Sequence, residues 1–258
     1  MKESVQRLYD KHYRIGPDGV RRGDGSHSFY EWIRSTPGLA EMKVLNIGAG
    51  PTPDPPMRRL RGQVGRLVGV DIDPVVMTNE DLDEAFVTNG LELPFGDSEF
   101  DLVYSDWTVE HVERPLPFLH EVQRVLKPGG QYLFRTTNRG HYVTAISAHT
   151  PHWFHRLVAN RVRDLRTEDH EPWPTHYRLN TERAVRRNLA AAGFAHVEVK
   201  LIEPYPVYLV FHPLAFRAGI AYERFVTRWS WAARFRLILI ARARKGQGVP
   251  AIAGARSV

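Results

Sequence analysis

The stretch Val44-Leu45-Asn46-Ile47-Gly48-Ala49-Gly50-Pro51 sets the frame for the rest of the chain. Three of its first four residues are apolar and two are β-branched, the make-up of a buried strand. Two glycines follow, one residue apart. Glycine admits φ > 0 and lets a ligand approach the main chain. A strand running into such a turn forms a binding crevice at the carboxyl end of a parallel sheet.

Working outward, apolar runs predict further strands at 66–71, 85–88, 100–105, 131–136, 195–202 and 235–241. Between them, Asp54-Pro55 is expected to start a helix reaching about Arg61, and Pro74 to open another. Phe118, Leu119, Val122, Val125 and Leu126 recur at helical spacing, stopped by Lys127-Pro128-Gly129-Gly130. Helices are also expected at 152–163 and at 181–192, the latter closed by Gly193. Near the start, Ser28 and Glu31 read as a capping box for a short helix that Pro37-Gly38 ends. Strands alternating with helices define an α/β sandwich with a mostly parallel sheet. The expected organisation is a helical cap at 1–40, a main domain at 41–245 and a mobile tail at 246–258. Within the domain, 138–178 is an overhanging lid and 204–233 a helical insertion.

Composition narrows the function classes. The 258 residues contain 43% hydrophobic side chains and no cysteine. A sizeable core is therefore available, whereas disulfides, thiolate metal sites and cysteine nucleophiles are excluded. The first ten residues carry charges and no apolar core, so a signal peptide is not expected. No apolar run is long enough to span a membrane, which suits a cytoplasmic location. The net charge of +6 is concentrated beyond Tyr205, where nine lysines and arginines face one acid, Glu223.

Asp71 ends the second strand about twenty residues after the glycine turn. A carboxylate there can accept from both hydroxyls of a ribose, so a nucleoside-bearing cofactor is indicated. Pro53 stands where a dinucleotide fingerprint has its third glycine, and the prolines at 51, 53, 55 and 56 delay the helix that would hold a pyrophosphate. A nicotinamide dinucleotide is disfavoured on both counts.

Downstream come Leu93-Pro94-Phe95, Glu99-Phe100-Asp101-Leu102-Val103-Tyr104-Ser105, Glu110-His111-Val112 and Arg124-Val125-Leu126-Lys127-Pro128-Gly129-Gly130. With Val44–Gly50 and Val70-Asp71 this series, covering about residues 43–137, resembles the class I S-adenosylmethionine-dependent methyltransferases. The likeness is to their small-molecule (type 11-like) group. The resemblance implies a Rossmann-like, seven-stranded, mostly parallel sheet whose last strand is antiparallel. It implies S-adenosyl-L-methionine as cofactor. It places Gly48, Ala49 and Gly50 at the methionine end, Asp71 on the ribose, and Ile72 on the adenine face. Asn89, next to Gly90, stands where an acid often takes the adenine amino group, and Ser105 and Asp106 lie toward the sulfonium and the acceptor. Asn46 likewise stands where an acid is usual, leaving an amide acceptor with less pull on a cationic cofactor.

Methyl transfer needs an oriented acceptor and, where a proton must leave, a base. His111 and Asp106 are the catalytic candidates; the bland alternative for His111 is a packed or capping residue. A divalent metal held with Glu110 is a weaker reading, and no metal is expected. The 138–178 segment is rich in histidines and aromatics, and His141, Tyr142, His176 and Tyr177 are its expected acceptor contacts. Each of these histidines has a structural reading as well. In the insertion, Arg217, Arg224 and Arg228 share one helical face beside Tyr222, Phe225 and Trp229. That face reads as a packed lid, or as a contact of 205–233 with a membrane surface or lipid-linked substrate. Nucleic acid is not expected, since basic residues alone make no recognition module. The expected activity is methyl transfer to an oxygen of a sugar, lipid-linked or aromatic small molecule. The alternative is a non-catalytic S-adenosylmethionine-binding scaffold or sensor.

Overall fold

The computed structural model describes residues 2–13, 25–54, 56–149 and 173–247. The expected helix at 152–163 and the tail beyond 247 lie outside the described residues. Seven strands form one sheet: β1 (Lys43–Ile47), β2 (Arg66–Asp71), β3 (Glu84–Val87), β4 (Phe100–Asp106), β5 (Leu126–Thr137), β6 (Phe194–Ile202) and β7 (Ile238–Lys245). Their order is β3-β2-β1-β4-β5-β7-β6, and β7 runs antiparallel to both β5 and β6. The remaining neighbours pair in parallel.

The order places β1 and β4 side by side at the centre, where Val44, Leu45 and Asn46 register with Leu102, Val103 and Tyr104. Both faces of β1 are covered, which is why its sequence is a near-continuous apolar run. Leu45 and Ile47 join one core with Leu119, Val122 and Val125 of α3 (Pro115–Val125) and with Val185 and Leu189 of α5 (Glu182–Ala191). Val44 points to the opposite core, with Phe29, Tyr30 and Ile33 of α2 (Gly25–Arg34). A third, smaller cluster joins Val5 and Tyr9 of α1 (Glu3–His12) to Phe216 and Ile220 of α6 (Pro213–Arg228). Helix α4 (Tyr142–His149) follows β5.

Four expectations are corrected. The segment after the glycine turn forms only a 3₁₀ turn, Pro56–Arg58, in place of a helix to Arg61. Prolines remove donors, and side chains take over: Arg34 donates to the Met57 carbonyl at 2.5 Å, while Asp81 accepts from the Leu60 and Arg61 amides. Pro74 likewise opens a 3₁₀ turn, Pro74–Thr78, capped by Asp73 accepting from the Val75 amide. Helix α2 begins at Gly25, so Ser28 lies inside it, and the start packs against Ile238 where a Cβ on Gly25 would collide. Strand β7 starts at Ile238 because Ser230–Phe235 is a 3₁₀ turn held by Asn138, whose amide donates to the Arg234 and Arg236 carbonyls.

Candidate active site

The crevice forms where β1, β2 and β4 end. Gly48 and Gly50 both take positive φ, 76° and 54°. The Gly48 and Ala49 amides donate to the Val70 carbonyl at 2.8 and 3.1 Å, folding the turn back over β2. Gly48 is glycine for a second reason: a Cβ there would meet Thr108 Oγ1 at 2.2 Å. At Gly50 a Cβ would meet nothing within 4 Å, so this glycine faces open space. Asp71 is tied directly to the turn, accepting from the Gly50 amide at 2.8 Å and from the Asp73 amide at 2.9 Å. Each carboxylate oxygen keeps a free lone pair, so a vicinal diol can still be bound.

One holder of the turn carried no sequence signal. Asn79, buried at the end of the Pro74–Thr78 turn, shares its Nδ2 donors among the carbonyls of Ala49, Gly50 and Pro51 at 3.0–3.3 Å. Asn46 lies in the floor, 5% exposed, and its Oδ1 is a buried acceptor with no hydrogen-bond partner. An unpaired buried acceptor beneath an open turn suits a donor arriving with a ligand. Ile72 is 43% exposed beside the crevice, and a Cβ on the neighbouring Gly90 would touch it at 3.1 Å. An uncovered aliphatic face next to an acid is the chemistry an adenosine needs. Asn89 departs from expectation. Its Oδ1 already accepts from the Leu91 and Glu92 amides at 2.9 and 3.1 Å, so the side chain has donors to offer rather than an acceptor. The residues present fit an S-adenosyl nucleoside at the ribose, the adenine face and the glycine turn.

On the acceptor side the expected residues separate into three groups. Ser105 is fully buried and bonds Tyr132 Oη at 3.1 Å, away from the crevice. Asp106 is gripped by the fully buried Arg135, with Nε to Oδ1 at 2.6 Å and Nη2 to Oδ2 at 2.7 Å, and accepts from Tyr30 Oη at 3.1 Å. Burial and the Asp106 charge push the Tyr30 hydroxyl well above the ordinary tyrosine range, so it stays a donor. Arg135 also donates to Ser26 at 2.5 Å and stacks on Trp107 at 4.8 Å. An arginine inside an apolar strand was the one available signal for this pair.

His111 occupies the short turn Val109–His111 after β4. Its Nδ1 lies 2.8 Å from the Pro174 carbonyl. A carbonyl only accepts, so Nδ1 carries the hydrogen and Nε2 holds the lone pair in the neutral ring. The Glu110 carbonyl accepts from the His176 and Tyr177 amides at 2.8 and 3.2 Å. The structure thus brings His111, His176 and Tyr177 together, with Tyr177 at φ 51°. The Glu110 side chain turns inward, accepting from Thr136 Oγ1 at 2.8 Å, and burial raises its carboxyl above the ordinary 4.5.

His141 belongs elsewhere. It is buried, and its Nδ1 accepts from the Val143 amide at 3.2 Å. Its Nε2 therefore donates to Glu203 Oε1, also at 3.2 Å. Its ring packs on Tyr142 at 4.2 Å and Tyr222 at 5.5 Å. Tyr142 is pushed up to about 12 by burial and then by Glu203. His141 is a capping and packing residue at the start of α4, whereas Tyr142 beside it is partly exposed. Among the described residues no three His, Cys, Asp or Glu side chains are grouped to hold a metal ion.

A family model described as a methyltransferase domain matches residues 45–134. The ubiquinone biosynthesis O-methyltransferase of Pseudomonas putida (strain GB-1) is 23% identical over 185 residues, 58% of this chain and 78% of that one. The ubiquinone biosynthesis O-methyltransferase of Pseudomonas syringae pv. tomato is 32% identical over 125 residues, 42% and 50% of the two chains. Among solved structures, a putative methyltransferase in complex with the Haloferax volcanii Trm112 methyltransferase activator superposes with a TM-score of 0.55. It is 20% identical and covers 94% of this chain and 93% of its own. Geranyl diphosphate C-methyltransferase from Streptomyces coelicolor A3(2), in complex with Mg2+, geranyl diphosphate and S-adenosyl-L-homocysteine, gives 0.53 at 15% identity, covering 85% and 77%. With the crevice and the strand order, these matches define the class: residues 45–134 carry a methyltransferase domain, and the sheet is that of the class I S-adenosylmethionine-dependent methyltransferases. It is an enzyme whose cofactor is S-adenosyl-L-methionine.

Proposed function

We propose that the enzyme methylates a hydroxyl oxygen of an aromatic or lipid-linked small molecule, with His111 Nε2 as the base. The observation that carries this is the His111–Pro174 contact, which fixes the tautomer and leaves Nε2 free to take a proton. When bound, the cofactor supplies an electrophilic methyl group. Asn46, Gly48, Ala49, Gly50, Asp71, Ile72, Asn89 and Gly90 hold it, with Asn79 fixing the turn. Ser105 supports the end of β4 from within the core, and Asp106 positions Arg135 and Tyr30 beneath the acceptor rather than taking a proton itself. Tyr142, His176 and Tyr177 line the acceptor side; most of the lid expected at 138–178 lies outside the described residues. His141 orders the start of α4. The relatives named as ubiquinone biosynthesis O-methyltransferases support a hydroxyl acceptor.

The test is transfer of radiolabelled methyl to a panel of phenols with and without apolar tails. His111→Gln is expected to lower kcat by roughly 10²–10⁴-fold while S-adenosylhomocysteine affinity holds within about twofold. Unchanged kcat in that variant sinks the base assignment. Absence of transfer to any hydroxyl acceptor, with cofactor still binding, favours the scaffold or sensor reading.

A further inference from the structure

Helix α6 presents two faces. Its inner face, with Phe216, Gly219, Ile220 and Val226, is buried. Its outer face carries Leu214, 65% exposed, and Phe225, 45% exposed, in line with Ala218 and Ala221. Positions 214, 218, 221 and 225 recur at helical spacing and make one apolar ridge. Trp229 and Trp231, about half exposed, extend the ridge past the helix end, where Phe225 and Trp231 meet edge to face at 5.6 Å. Arg217, Arg224 and Arg228, seven and four residues apart, fall along one flank of this ridge and are exposed. The helix carries one acid, Glu223, which points back to Tyr13 and Thr227. Beside the flank lies an open hollow of about 580 Å³, walled by Arg224, Arg228, Phe225 and Trp229 among others.

We propose that this face of α6 and the turn after it dock on the surface of an anionic lipid bilayer. Aromatic and aliphatic side chains exposed in one row beside arginines are the pattern of a helix lying in the membrane interface. Tryptophan in particular settles at headgroup depth. Solvated tryptophans in a continuous apolar ridge call for a covering partner. The charge pattern chooses that partner. In a symmetric dimer the same patch would meet itself and set the two arginine rows against each other, which costs energy. A surface of phosphate-bearing headgroups instead offers an anion to every arginine at once, with the 580 Å³ hollow open beside Arg224 and Arg228. The docked face also lies next to the acceptor side of the enzyme. Tyr222 of the same helix contacts Tyr142 at 5.0 Å and donates to the Phe235 carbonyl at 2.6 Å. Docking would therefore hold the acceptor side at the bilayer surface, although the docking itself does not depend on which acceptor is methylated.

The full chain is to be sedimented with vesicles of pure phosphatidylcholine and of phosphatidylcholine with one-third phosphatidylglycerol, at low and high salt. Binding is expected on the anionic vesicles, weakened by salt. The triple variant Arg217→Gln, Arg224→Gln, Arg228→Gln is expected to bind those vesicles on the order of a hundredfold less tightly. The pair Trp229→Ala, Trp231→Ala is expected to lose most of the binding, with unchanged melting temperature showing that both variants are folded. Three results overturn the proposal: no vesicle binding by the folded parent chain, undiminished binding by both folded variants, or a stable dimer in light scattering that Phe225→Asp dissociates.

Discussion

Single residues show how burial sorts the acids near the crevice. Asp106, the last residue of β4, and Glu110 stand four positions apart, yet one is held by a guanidinium and the other is buried against a hydroxyl. Removing one member of a buried ion pair leaves the other charge uncompensated. Asp106→Ala is therefore expected to cost about 3–5 kcal/mol in urea unfolding, and the double variant Asp106→Ala, Arg135→Met to recover much of that loss. Equal losses in the single and double variants refute the pair's structural role. Glu110 follows the opposite sign. Burial raises its carboxyl above 4.5, so the folded state prefers it protonated. Its contribution is fully present below the ordinary carboxyl value and is withdrawn as pH rises through the raised value. Glu110→Gln is thus expected to flatten the fall of stability with pH above about 4.5, read as unfolding midpoints across that range. Parallel curves for parent and variant would show that Glu110 does not titrate in this way. Positive φ at Trp107, 58°, and Tyr177, 51°, marks backbone strain on both sides of His111.

At the level of elements, the glycine turn depends on a neighbour that the local sequence does not announce. Three carbonyls of the turn converge on Asn79 Nδ2. Left without a donor, they would re-orient toward water and loosen the turn against which the cofactor is proposed to lie. Asn79→Ala is expected to weaken S-adenosylhomocysteine binding by about tenfold or more in calorimetry, with His111→Gln as the variant that leaves it unaltered. Unaltered affinity in Asn79→Ala would show that the turn holds its shape alone. The local grammar of strands was readable: β1, β2 and β4 begin and end within a residue of expectation, because continuous apolar runs bounded by turns allow little else. The segments after β1 and β2 form 3₁₀ turns in place of the expected helices for one reason. Proline is as compatible with a 3₁₀ turn as with a first helical turn, and Asp73 and Asp81 supply the missing partners in ways that periodicity does not encode.

Across the whole molecule, helices α1 and α4 both meet α6. Helix α1 packs on α6 through Tyr9 and Phe216, and Tyr222 of α6 packs on Tyr142 of α4. The outer face of α6 is left to solvent, which makes it the natural contact with a surface. Among the described residues no helix is long and apolar enough to cross a membrane. Spacing along the chain was enough to point to the glycine turn, to Asp71 tied to it and to the methyltransferase resemblance, because strands and the turns that end them are local features. Tertiary structure alone assigned the polar groups near the acceptor. His141 and His111 look alike in the sequence, but packing buries the first against Glu203 and leaves the second with one nitrogen anchored on Pro174. What separates the proposed base from a cap is which partners sit at each ring nitrogen, and those partners, Glu203 and Pro174, come from more than sixty residues away.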